Sequence, residues 1–583
     1  MPGIRSALDI AVGAMATHQY GMDVVSHNVA NVNTEGYTLQ TVINKSKVPQ
    51  ASGGFMFGRG VETYEIRQLV DETVEKRLLE YRSSLASAEE IETFGKVLDG
   101  LFNEVEGNGL GTMLSDFFNS WEDLSLNSAG TAERSVLYEQ ALGLAQYIDE
   151  LDAALIGEEE NLGISLQSGV EAVNTLTSQI ADLNQQIVAA SQNTNPNDLL
   201  DQRNYLMSEL AQYIDVQTFA QDDGSLTVLG PRGVTLVIGS DQFDINLHQG
   251  DIIYGKGTDK ELTITDYVEE GRMGGWLEMR DTVISELRAN LNEVSKEMIW
   301  AVNTIHSQGI GLTGLTSTTG SYTAAATNQP VNSAAADLFF GDRITDGAFT
   351  FWVYDASGNV VNPGGTNIAI TANTTTMDDI ATALGAVDLN VTASSVGGRL
   401  SITAGSGYTF GFTEDTSNVL AALGVNTFFT GEGSGTMGIH ETIAADRNMI
   451  AAGKADAATG EISSGNNETS LAIGELKYTN LSIKEWQSNR IGSDTSTTVN
   501  ATIEGYYASM ISALGSSLNS AERNREFAES MVQNLETVRG SISGVSLDEE
   551  MTKLIELQQS YAAAAKLITT MDEIFQTLMT IKS

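Results

Sequence analysis

The stretch Ser26-His-Asn-Val-Ala-Asn-Val-Asn-Thr-Glu-Gly-Tyr-Thr-Leu-Gln40 reads as the end of one element and the start of another. Asn31 and Asn33 stop a helix, because Asn tolerates left-handed backbone and bonds nearby amides. Gly36 supplies a turn position of positive φ, and Tyr37 follows it as an amphipathic anchor. Helix, tight turn and extended strand are therefore expected in that order. Upstream, Ile4, Leu8, Ala11, Met15, His18, Met22, Val25 and Val29 recur at alternating steps of four and three, a heptad seam. The far end repeats the pattern with Leu554, Leu557, Tyr561, Ala564, Ile568, Met571, Phe575 and Leu578. Two such seams at opposite ends suit pairing with each other or with copies of the chain. Each alone would also suit a core-facing amphipathic helix.

Between the ends, helical periodicity dominates. Seams run from Leu162 to Ile187, from Leu287 to Ile305 and from Tyr507 to Leu535, and residues 71–105 and 131–156 also read as helix. Such rods pack into an elongated bundle. A β interlude is expected at about 216–268, where Asp222-Asp223-Gly224 signals a hairpin. Residues 309–438 differ in composition, with ten acidic residues, two basic ones (Arg343 and Arg399) and no lysine. Alternating runs such as Phe349-Thr-Phe-Trp-Val-Tyr354 predict strands there, and Thr376 reads as the N-cap of one short helix. The fold class expected is multidomain α+β. Its parts are a terminal coiled-coil domain (1–55 with 545–583), a helical rod (56–308 with 439–544) and an inserted, mostly β outer domain (309–438).

Chemistry is sparse. Gly309-Ile-Gly-Leu-Thr-Gly314 and Gly433-Ser-Gly-Thr-Met-Gly438 spell a dinucleotide pattern, but the first follows a helix, where a phosphate loop needs a preceding strand. Both read as linkers flanking the insertion. The five histidines, His18, His27, His248, His306 and His440, show no metal-ligand spacing, and no nucleophile elbow or P-loop occurs. No catalytic residue, cofactor or metal is expected, and the chain reads as no enzyme. The formal net charge is −45, which argues against nucleic acid and anionic membrane as partners. With no cysteine there is neither disulfide nor thiolate chemistry, and no signal-peptide or membrane-spanning run is expected.

The order Ala30-Asn31-x-x-Thr34-x-Gly36-Tyr37 resembles the signature after the first helix in bacterial flagellar rod, hook and hook-associated proteins. Ser543-Gly-Val-Ser-Leu-Asp-Glu-Glu550, leading into the last helix, is similar to the hook–filament junction members of that family. Gly36-Tyr37-x-x-Gln40 and Gly274-Gly-Trp-Leu-Glu-Met-Arg-Asp281 point the same way, while Leu39 stands where many members carry Arg. The resemblance implies a structural subunit of the flagellum, joining hook to filament by helical self-assembly through paired terminal helices. It implies an assembly interface of Ile4, Leu8, Met15, Met22, Val25, Val29, Asn31, Thr34, Gly36, Tyr37, Leu554, Leu557, Tyr561, Ile568, Met571, Phe575 and Leu578. Implied partners are copies of the chain, hook subunits, a second junction protein and an export chaperone before secretion. An extracellular place in the flagellum follows, reached by type III export without a cleaved signal peptide. The alternatives are another flagellar axial protein (a hook or distal rod subunit), or a secreted adhesin or enzyme that uses the β insertion.

Overall fold

Where periodicity predicts two helices, at 131–156 and 162–187, one helix of 61 residues runs Thr131–Ser191. Gly157 and Gly163 lie inside it with open space beside their α-carbons. Each costs about 1 kcal/mol relative to Ala. Leu155, Leu162 and Leu166, all fully buried, offset that cost through the area they remove from water.

The computed structural model describes residues 2–52, 54–102, 109–192 and 194–582, the side chains of 2–4, 52 and 582 excepted. Its helices are α1 (Pro2–Ala30), α2 (Glu72–Leu101), α3 (Leu110–Leu126), α4 (Thr131–Ser191), α5 (Asn197–Tyr213), α6 (Gly271–Leu277), α7 (Ser285–His306), α8 (Met377–Gly385), α9 (Val419–Leu423), α10 (Glu441–Ala445), α11 (Glu468–Gly474), α12 (Ile503–Ser543) and α13 (Leu547–Lys582). A π-helical stretch, Glu278–Ile284, links α6 to α7. The class is α+β, with long helices at both termini. The chain divides into two compact units, one of residues 1–94, 162–279 and 518–583, the other of 95–161 and 280–517.

In the first unit α2 and α12 are joined by ion pairs. Arg82 meets Glu536 at 2.8 Å and Arg539 meets Glu75 at 2.7 Å, while Arg525 pairs with Glu92. Leu78, Val532 and Leu535 form an apolar cluster. The predicted hairpin exists: Gln217–Ala220 pairs antiparallel with Leu226–Leu229, and Gly224 takes φ +88° at the turn. Two further strands complete a four-stranded sheet, and 245–248, 251–254 and 262–263 form a three-stranded one. The sequence predicts one extended strand after the signature turn. The structure pairs Gln40–Ser46 with Val61–Gln68, antiparallel, with a register shift at Ile43/Asn44.

In the second unit, strand Gly347–Tyr354 is central between Thr366–Ile370 and Thr409–Thr413. The strand is the one its sequence predicts, and Phe349, Phe351, Trp352, Val353 and Tyr354 are all fully buried, so from Phe351 on both of its faces are covered. Aromatic rings cover one face, with Phe351 lying 5.6 Å from Phe410 and 5.5 Å from Phe412. Tyr354 Oη donates to Gly460 O at 2.9 Å, and Trp352 Nε1 to Thr413 Oγ1 at 2.9 Å. Thr376 caps α8 as predicted, in a reciprocal box with Asp379. A hairpin that the sequence did not announce, Leu481–Gln487 with Thr495–Ala501, packs on α7 through Asn290, which bonds both backbone groups of Trp486.

The glycines of Gly309–Gly314 and Gly433–Gly438 serve close approach. A Cβ on Gly311 would stand 2.3 Å from Asn448 O, and one on Gly433 1.8 Å from Asn292 Oδ1. Neither stretch lies between a strand and a long helix.

His306 at the end of α7 is fully buried. Its Nδ1–H donates to Asn426 O at 2.8 Å, and Nε2 accepts from Ala451 N–H at 3.0 Å, which fixes a neutral ring. Burial pushes its pKa down to about 4, and His440 and Arg134 add to the shift. Unfolded, the ring titrates near 6.5. Between those values the unfolded state holds more protons, so this stabilisation is present above about pH 6.5 and lost as pH falls to about 4. In His306→Leu that part of the pH dependence should vanish. Urea unfolding at pH 7 and pH 4.5, compared between parent and variant, measures it; equal pH slopes would refute it.

Candidate assembly site at the joined chain ends

The signature turn is built by side chains that close its own backbone. At the end of α1, Asn31 N–H donates to His27 O at 3.1 Å, and Asn31 Nδ2 donates to the same oxygen at 3.1 Å. Thr34 Oγ1 donates to Asn31 Oδ1 at 3.1 Å. Asn31 thus ends the helix through a carbonyl and a hydroxyl, and neither it nor Asn33 takes positive φ. Gly36 does, at +77°, and a Cβ there would stand 3.2 Å from Tyr205 Cβ on α5. Any L side chain would meet both strain and crowding.

Tyr37 turns back onto α1. Its hydroxyl donates to Asn28 Oδ1 at 2.7 Å. That commits the phenolic proton, so His27 Nδ1, 3.0 Å away, is the donor to the phenol oxygen. Burial, with Asp198, Asp201 and Glu550 adding, pushes the Tyr37 phenol well above its ordinary value. The neutral donor is the form that bonds Asn28.

Asn28 is the hub. It is 1% exposed. Its Oδ1 also accepts from Gln40 N–H at 3.1 Å, while Nδ2 donates to Gln40 O at 3.0 Å and to Glu550 Oε2 at 2.9 Å. All four positions of the amide are therefore filled. Glu550, 1% exposed in the first turn of α13, takes Lys553 Nζ on its other oxygen at 2.7 Å. Leu39 N–H donates to Ser543 O at 2.8 Å, a second tie between the chain ends. Thr38 donates through N–H and Oγ1 to Asp201 at 3.1 and 2.6 Å. Burial raises Asp201 to about 6, the Thr38 bonds opposing. Gln40 Nε2 donates to Asp198 Oδ1 at 2.8 Å. Beside this network a cavity of about 390 Å³ is walled by His27, Glu35, Tyr37, Asp198, Asp201 and Tyr205.

Helices α1 and α13 lie against each other. Gly21 is where they come closest: a Cβ there would stand 3.0 Å from both Leu557 methyls. From Gly21 to Asn28, and from Leu557 back to Glu550, is seven residues, so the pair runs antiparallel. Nearer the start of α1, Gly13 and Ile10 approach Val61 O and Gly60.

Of the seam residues expected from sequence, Val25 is buried, while Met15, Met22, Val29, Leu554, Leu557, Tyr561, Ile568, Met571 and Leu578 are half-buried. Leu8 and Phe575 are 39% and 49% exposed, and the Ile4 side chain lies outside the described residues. In the antiparallel register Phe575 falls level with the first residues of α1. Asn31, Thr34, Gly36 and Tyr37 form the turn. Asn28, Gln40, Asp201 and Glu550 were missed as interior residues, because Asn28 is one step off the apolar seam. Glu550 passes for an ordinary acid of a helix first turn.

Among the described residues, nothing covers a second apolar stripe on α13. Leu567, Ile574 and Ile581 recur every seven residues and are 51%, 42% and 76% exposed. On α1, Leu8, Val12 and Tyr20 are exposed as well, at 39%, 53% and 50%. Among the described residues no helix is long and apolar enough to cross a membrane, and no cluster of His and carboxylates has metal-site geometry.

Three family models match. Residues 8–38 match the flagella basal body rod protein model, 96–321 the flagellar hook-associated protein FlgK helical domain, and 540–581 the C-terminal model of flagellar basal body rod FlgEFG proteins. Together they span about half of the chain, and the first and last contain the signature turn and α13. Flagellar hook-associated protein 1 of Escherichia coli (strain K12) is 26% identical over 604 residues, which is 99% of this chain and all of the relative. The protein of that name from Bacillus subtilis (strain 168) is 25% identical over 580 residues, 97% of this chain and 96% of the relative. A solved structure of the flagellar hook junction protein FlgK from Burkholderia pseudomallei is similar at a TM-score of 0.48 and 17% identity, over 80% of this chain and all of that one. With both ends and the helical middle matching flagellar models, and relatives of one name aligned from end to end, the chain is similar over nearly its whole length to flagellar hook-associated protein 1.

Proposed function

We propose that the chain is a structural subunit of the junction between flagellar hook and filament, assembling through its paired terminal helices. The observation that carries this is the uncovered apolar stripe Leu567–Ile574–Ile581 on a helix already paired through another face. A helix in water gains nothing by showing apolar residues on two faces, and such a stripe marks a surface that a further helix covers. The occupant proposed is the terminal helix pair of a neighbouring subunit. Residues 1–55 with 545–583 then make the tube-forming part, 56–308 with 439–544 the rod, and 309–438 the outward part. Hook subunits on one side and a second junction protein on the other are the proposed neighbours, with copies of the chain between them. The role is adaptation between two packings and involves no bond-making chemistry. An extracellular place follows, with a chaperone holding the chain before export.

The charge distribution supports this assignment. Residues 1–50 hold three basic and three acidic residues, and 545–583 hold six acids against three lysines. Nearly all of the net −45 therefore lies outside the ends that would crowd together in a tube. The test is complementation of a motile bacterium that lacks its own junction subunit. Filaments retained on hooks, with the chain located between them by immunogold labelling, are expected. Export of a folded chain that never localises there would overturn the assignment.

A further inference from the structure

We propose that the Asn28–Glu550 hydrogen bond sets the register in which α13 lies along α1, acting with the Gly21 notch one heptad away. The inference rests on the reading that these paired ends are the assembling part, and it names the residues that position them. Apolar seams alone do not select a register here. Sliding α13 by one heptad would set Tyr561, Ile568 and Phe575 where Leu554, Tyr561 and Ile568 now lie, and all are apolar. The run Ala562-Ala-Ala-Ala565 smooths the surface further. Such seams tolerate slippage unless a buried polar group forbids it.

Asn28 and Glu550 are such groups. Both are 1% exposed and bonded at 2.9 Å. A one-heptad slide would bring Leu557 to Asn28 and take Glu550 away from its donor. The amide would lose one of its four bonds, and a carboxylate would be left without its buried partner, both costly in an apolar setting. Gly21 enforces the same choice by shape, because the Leu557 methyls occupy the space a Cβ would need. Asn28 itself cannot shift. Tyr37 Oη and both backbone groups of Gln40 hold its side chain, so the signature turn aims it at α13. The turn is thereby a positioning device for a contact 522 residues away in sequence.

The chain contains no cysteine, so spin labels can be placed at will. Gln19→Cys and Gln559→Cys lie at exposed positions on α1 and α13. Pulsed dipolar spectroscopy on the full-length labelled chain should give a single narrow distance. A heptad slide displaces the labels by about 10 Å along the axis. With Asn28→Leu and Glu550→Leu combined, a second, longer distance is expected at unchanged helix content, because Gln19 and Gln559 lie level in the parent register and the axial slide adds in quadrature to their lateral separation. Glu550→Gln, which keeps an acceptor for Asn28, should retain the single parent distance. One unshifted distance in the double leucine variant would overturn the proposal. Loss of helix content in that variant would overturn it too, since the pair would then hold the helices together and not choose between registers. Slippage in Glu550→Gln would assign the register to charge instead of to the hydrogen bond. A chain that keeps a single distance yet never enters a junction would count against the assembly reading alone.

Discussion

A chain carrying Leu567→Glu together with Ile574→Glu is expected to fold as the parent does and to be lost from the hook–filament junction. In the isolated chain these side chains are 51% and 42% exposed, so the carboxylates remain hydrated. Glu also has good helix propensity, and α13 should keep its helicity. In an assembly the same positions would face a neighbouring subunit. Removing a buried Leu or Ile costs about 2–5 kcal/mol per site, and an unpaired carboxylate adds its desolvation. The loss repeats at every copy. Filament subunits should then escape to the medium, motility should fail, and circular dichroism of the secreted chain should match the parent. Thr569→Glu with Gln576→Glu adds equal charge at the same seven-residue spacing on another flank, at exposed polar positions. That control should assemble. Junctions that form normally with the Leu567/Ile574 variant, or control and test failing alike, would remove the stripe from the assembly surface.

The ends were legible because long helices announce themselves by period, and both seams lie in helices of the expected extent, α1 and α13. What periodicity cannot show is which residues meet. The interior of the joined ends is centred on Gly21, Val24, Val25 and Asn28: Val25 is on the predicted seam, and the other three each lie one residue before a seam position. The shift arises because α1 is covered by two partners, α13 and the strands after the turn. A reader of heptads assigns one partner. Strands 40–46 and 61–68 were half-hidden by polar sequence, with Lys45, Glu62 and Glu65 showing no clean alternation. The hairpin 481–501 was hidden by its Thr and Ser content, since its strand Thr495–Ala501 is mostly exposed and has little apolar pattern to read. Helix α3 opens on Gly109 and Gly111, which suppress a helix reading, yet it carries Phe117, Phe118 and Trp121, all fully buried. Composition marked residues 309 and 438 as boundaries. Packing does not stop there: Phe428 and Phe429 lie against α3, and Asn303 of α7 accepts from the N–H groups of both.

That aromatic cluster sets the second large effect. Trp121 is fully buried, its ring 5.2 Å from Phe428, 6.2 Å from His306 and 6.4 Å from Phe117. Trp121→Ala removes the largest buried side chain of the cluster and leaves a cavity that the three rigid rings around it cannot close, so a cost of about 3–5 kcal/mol is expected. The damage should be local. Amides of α3 and of residues 426–429 should lose protection in native-state hydrogen exchange, since Asn426 anchors to His306 and to the carbonyls of Ser307 and Gly309. Trp121→Phe separates packing from polarity. Among the described residues the indole Nε1 has no acceptor. Phenylalanine thus discards an unsatisfied donor along with some contact, and the two changes oppose each other. Its cost should fall well below half that of alanine. Equal losses for Phe and Ala would mean that the indole nitrogen, and not the ring area, holds the cluster; a loss under about 1 kcal/mol for Ala would mean that α3 is not bound to residues 428–429 through this ring.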